Sequence, residues 1–94
     1  MKIEFVWDLR KAVSNKKKHG VSFEEASGVF YDERALLIRD VLHSLGEERF
    51  ILLGRGSVAR VLVVVHIYWE SAETIRIVSA RLASRDEVNQ YYRR

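Results

Sequence analysis

The stretch RVLVVVHIYW, residues 60–69, decides the fold. Its apolar residues do not alternate with polar ones but occupy both sides of an extended chain, a pattern that suits a strand covered on both faces. It is far too short to span a bilayer. A central strand needs neighbours, and the flanking sequence supplies them. RFILLGR, residues 49–55, precedes it across the turn GSVA at 56–59, and TIRIVSAR, residues 74–81, follows it across a short turn around Ser71. Three consecutive strands joined by short turns predict an antiparallel meander.

Further out, ALLIR from Ala35 is a short strand candidate, DVLHSLGEE a loop around Gly46, and KIEFVW a short strand suited to a sheet edge. Asp8 has the position of an N-cap, opening a helix that should run to about Lys18 on a thin apolar stripe of Leu9, Ala12 and Val13. Gly20 fits a left-handed C′ residue, and His19 beside it reads more readily as a partner of the helix dipole than as a catalyst. Ser22 and Glu25 have capping-box spacing ahead of a second helix that buries Phe23, Ala26, Val29 and Phe30 and ends near Tyr31. Ser84 and Glu87 repeat that spacing before a short C-terminal helix bearing Val88, Tyr91 and Tyr92. The expected class is α+β: two N-terminal helices and one C-terminal helix on a small antiparallel sheet.

With 94 residues, 48% of them hydrophobic and 31% charged, the chain is read as a single folded domain over 1–94. It holds no cysteine, which removes disulfides and thiolate zinc sites and suits a reducing compartment. MKIEFVWDLRKA lacks the long apolar core of an export signal, so a cytoplasmic location and no membrane role are expected. The net charge of +3 hides a pattern. Residues 1–20 carry six basic and two acidic groups, residues 21–50 three and seven, and the rest seven and four. Basic ends that meet in space would suit phosphate; an ordinary solvated surface is the alternative.

No P-loop, dinucleotide fingerprint, HExxH or GxSxG is present, and His19, His43 and His66 have no metal-ligand spacing. No metal and no cofactor are therefore expected. Attention falls on the meander. If the turn over 69–73 sets the pairing, His66 lies opposite Arg76 and Val61 opposite Arg81, which puts His66 and the Arg76 guanidinium on one sheet face. Arg76 there either awaits an anion or pairs with Glu70, Glu73 or a carboxylate of the acidic middle. Metal-free RNA cleavage needs a base, cations for the phosphorane charge and an acid, roles open to His66, Arg76 and Arg81 with Glu48, Arg49 or a C-terminal tyrosine. Lys11, Lys16, Lys17 and Lys18 would guide an RNA backbone, and Tyr91 would stack a base unless it packs in the core.

With those residues in view, the chain resembles the BrnT family of type II toxins. The resemblance rests on WDLRKAVSNKKKHGVSFEEA at 7–26, GEERF at 46–50, VLVVVH at 61–66, and IRIVSAR at 75–81 followed by a helix with Glu87 and Tyr91. It implies a RelE-like fold and a metal-independent endoribonuclease that arrests translation and growth. It also implies a BrnA-like antitoxin of the ribbon–helix–helix type, through which the complex would bind operator DNA. Carried over by position, His66, Arg76 and Arg81 fall on matching motif residues, with Glu48 and Arg49 beside them. The rival readings are a non-catalytic module that only holds nucleic acid or a partner, and an inactive half of a complex. Trp69, expected to be exposed, would mark a partner surface.

Overall fold

The computed structural model describes residues 2–44, 46–69 and 73–93. Five strands, β1 (Glu4–Val6), β2 (Leu36–Asp40), β3 (Arg49–Arg55), β4 (Val61–Tyr68) and β5 (Thr74–Leu82), form one sheet in the order β1-β5-β4-β3-β2. The doubly apolar strand is the middle one. From β2 to β5 neighbours run antiparallel, but β1 lies parallel to β5, so the sheet is mixed and the expectation of a purely antiparallel one is corrected. No hairpin joins β1 to β5, so nothing forces them to run in opposite directions. The turn expected around Ser71 lies outside the described residues.

Three α-helices accompany the sheet: α1 (Leu9–His19), α2 (Phe23–Gly28) and α3 (Arg85–Tyr92). Asp8 caps α1 by accepting from the backbone N–H groups of Arg10 and Lys11 at 2.8 and 3.1 Å, and Gly20 ends it at φ 72°. Only half of the capping box at α2 forms. Ser22 accepts from the Glu25 N–H, but the Glu25 carboxylate turns away to Arg60, 2.6 Å from its guanidinium. At α3 the box of Ser84 and Glu87 is complete. A 3₁₀ turn at Val29–Tyr31 follows α2, and another at Val41–His43 occupies part of the expected loop.

α1 and α2 cover one side of the sheet. There Val21, Phe23, Ala26 and Val29 pack on Leu52, Leu62, Val64, Ile77 and Ala80. The stripe expected to hold α1 is corrected: Ala12 packs inward, whereas Leu9 and Val13 are 76% and 63% exposed. Asn15 does the anchoring instead. Its amide donates to the carbonyls of Val21 and Ala80 at 2.9 and 2.8 Å and accepts from the Ala80 N–H at 3.1 Å, tying α1 to β5. On the other side α3 covers one end, where Val88 and Tyr91 pack with Leu53, Val61 and Val63. Among the described residues no helix lies over the opposite end of that side.

Candidate functional site

Register decides which side chains share that uncovered end. From Leu62↔Leu82 to Val65↔Ser79 the pairing of β4 with β5 is regular, then it shifts so that His66 faces Ile77 and Ile67 faces Arg76. Val78 is the extra residue, a β-bulge. Without it Arg76 and Arg81, five positions apart, would point to opposite sides. With it both face away from α1 and α2, and His66 faces toward them.

The expected convergence of His66 with Arg76 and Arg81 is therefore corrected: His66 lies on the other side of the sheet. Its ring is fully buried among Phe30, Phe50 and Tyr68, with centroids at 4.7, 6.1 and 5.5 Å. Nδ1 lies 3.3 Å from the Val64 carbonyl, and Nε2 has no partner. Burial pulls the imidazole pKa down to about 4 against the weaker opposing pull of the Val64 carbonyl, so the ring is neutral near pH 7. It cannot reach a ligand on the uncovered side.

Arg81 also differs from its expected part. Its guanidinium makes a two-pronged bond to Glu87, at 2.8 and 2.9 Å, which fastens the start of α3 to β5. That bond, ahead of the Ser84 contacts, holds the Glu87 carboxyl at about 2. Five residues of strand put Arg81 about 16 Å from Arg76 along β5. Tyr91, proposed to stack a base, is only 3% exposed and donates its hydroxyl to Asp32 at 2.6 Å. Burial, then that bond, pushes its phenol pKa up. Lys11, Lys16, Lys17 and Lys18 are exposed, but α1 carries them on the far side of the sheet from Arg76. Glu48 pairs at 2.8 Å with Arg39 of the outer strand β2.

What the structure does bring together is a row that sequence reasoning did not assemble. Asp40 pairs with Arg49, and Ile67 with Arg76, which pairs in turn with Val6. Continuing the β3–β4 register one step past Phe50↔His66 sets Arg49 beside Ile67. Arg49, Ile67 and Arg76 thus cross three adjacent strands on the uncovered side. At strand spacing their two arginine backbones are about 10 Å apart, within reach of one phosphate for side chains of this length. Arg76 has no carboxylate partner among the described residues; its guanidinium lies 5.1 Å from the ring centre of Trp69. Arg49 touches Glu47 only at 3.9 Å, and its Nε is buried without a partner. A buried donor left unmatched is costly, and an anion on the row would satisfy it. A pocket of about 320 Å³, lined by Val6, Trp7, Asp8, Trp69 and Arg76, opens the Arg76 end of the row to solvent. Among the described residues no three His, Asp or Glu side chains cluster as a metal site would require.

Fold and site together define a small α+β protein with an uncovered, arginine-bearing sheet face. The chain belongs to the BrnT family, the ribonuclease toxins of type II toxin–antitoxin systems, whose model matches residues 7–87. That membership carries an antitoxin partner with it. The crystal structure of the Brucella abortus ribonuclease toxin BrnT is similar with a TM-score of 0.68, over 89% of this chain and 100% of that one, at 21% identity. At that identity the likeness speaks for the fold. A comparison with curated proteins found no match. No helix among the described residues is long and apolar enough to cross a membrane.

Proposed function

We propose that residues 1–94 act as one RelE-like toxin domain in the cytoplasm, and that the Arg49–Ile67–Arg76 row binds the scissile phosphodiester of RNA. The observation that carries this reading is the pair of under-compensated guanidinium groups, Arg76 without a carboxylate among the described residues and Arg49 with an unmatched buried Nε. In the proposed reaction the 2′-oxygen attacks phosphorus, the bond to the 5′-oxygen breaks, and the products are a 2′,3′-cyclic phosphate and a 5′-hydroxyl. Arg49 and Arg76 neutralise the charge that builds on the non-bridging oxygens, where fixed donors act most strongly. Glu47, 3.9 Å from Arg49, is the acceptor for the 2′-proton, in place of the buried His66. Solvent at the open row returns a proton to the leaving oxygen. No step needs a metal ion.

In this reading cleavage arrests translation and growth, and a BrnA-like ribbon–helix–helix antitoxin neutralises the toxin and links the complex to operator DNA. Purified protein incubated with RNA and excess chelator should yield fragments ending in 2′,3′-cyclic phosphate, and Arg76→Ala should form them far more slowly while remaining folded. Binding of RNA without fragments would instead mark a non-catalytic module.

A further inference from the structure

The outer face of α1 is unexplained by a site on the other side of the sheet. Leu9 and Val13, one helical turn apart, form an apolar pair that the fold leaves in solvent, 76% and 63% exposed. Arg10, Ser14 and Lys17 complete a shallow apolar-floored groove around them. Helical geometry sets Lys16 at the other flank. The helix carries Arg10, Lys11, Lys16, Lys17 and Lys18 and no acidic residue. Nothing local neutralises this charge: among the described residues none of the five forms an ion pair.

A basic surface alone would suit nucleic acid equally well. The exposed Leu9–Val13 pair separates the two, because a phosphate backbone gains nothing from burying two aliphatic side chains, whereas an amphipathic helix does. We infer that α1 is the docking surface for an acidic amphipathic helix of the antitoxin. Its apolar stripe covers Leu9 and Val13, and its carboxylates face Arg10, Lys16 and Lys17. The surface runs to the rim of the arginine row: Asp8, which caps α1, lines the same pocket as Trp69 and Arg76. A partner seated on α1 and continuing past Asp8 therefore arrives at Arg76, so docking and neutralisation share one path. This inference rests on the family's antitoxin partnership and not on the proposed cleavage chemistry.

The test uses the full chain, its antitoxin co-expressed and purified, and a single-stranded RNA oligonucleotide. Leu9→Asp with Val13→Asp should weaken antitoxin binding at least about 100-fold, the range expected when a central apolar anchor is lost. Lys16→Glu with Lys17→Glu should weaken it about tenfold and flatten its salt dependence. RNA binding and cleavage should be unchanged in the apolar double variant, which keeps these readouts separate from any failure of the ribonuclease reading. Hydrogen exchange on the unmutated chain supplies a check independent of variant folding: antitoxin should protect the amides of α1. Unchanged antitoxin affinity in both variants, absence of α1 protection, or loss of RNA binding with antitoxin binding intact would each overturn the inference, the last by making α1 a nucleic-acid surface.

Discussion

Across the thickness of one sheet, His66 and Arg76 occupy opposite environments although they sit on adjacent strands. On the helix-covered side His66 is sealed by three aromatic rings, neutral, and short of one hydrogen bond. On the uncovered side Arg76 rests on Trp69 without a carboxylate among the described residues. A covered face turns a titratable group into a packing element, because the energy of removing its charge from water exceeds what its neighbours return. An uncovered face leaves a guanidinium solvated at one edge and ready for an anion. The single residue Val78 separates the two outcomes.

The sharpest way to break this contrast is to exchange the expected effects of the two residues. Arg76→Ala should lower RNA cleavage about 100- to 1000-fold, as losing one preorganised donor does, with stability changed by less than about 1 kcal/mol in a thermal melt. His66→Ala should do the reverse, costing about 3 kcal/mol of stability through the cavity it opens, as chemical denaturation would measure. At a temperature where it stays folded, its cleavage rate should remain within a few-fold of the parent. If His66→Ala were stable and inactive instead, the histidine would belong to the reaction.

Acid should strike the covered side first. The His66 pKa is near 6.5 when unfolded and about 4 when folded, so between those values the unfolded chain binds more protons and stability falls as pH falls. Denaturation midpoints followed from pH 7 to 4 should register a loss of up to about 3 kcal/mol, reduced in His66→Phe. A smaller effect is expected where α3 meets the sheet. Tyr91→Phe removes the hydroxyl bond to Asp32 and should cost about 2 kcal/mol without changing RNA affinity. Smallest is Arg81→Ala: its bond to Glu87 is partly exposed, so about 1 kcal/mol or less is expected, with cleavage largely preserved.

Much of the architecture was legible in local sequence. The bounds of β3 matched RFILLGR, the caps at Asp8 and Ser84 formed, Gly20 took a left-handed conformation, and the strand from Val61 lies in the middle of the sheet. These features depend on contacts within a few residues or on a strand's own two-sided apolarity. The site was less legible. The arginines could be named, but not grouped, because grouping depends on strand register, and a bulge changes register without any glycine or proline to announce it. Asn15 carried a faint signal, a poor helix former inside a basic helix, whose use appears only once Ala80 is beside it. The orientation of α1 went the same way: periodicity chose Leu9 and Val13 for its inner face, and the buried amide bonds of Asn15 turned the helix against them.

By itself, then, the sequence determined the elements, their caps, the central strand and the family, because each is written in short-range pattern or in motif. The sides of the sheet on which His66, Arg49, Arg76 and Arg81 stand were decided by tertiary structure alone. A one-residue shift in pairing reverses a side chain's face, and that shift is settled by packing across strands, not by the residues on either one.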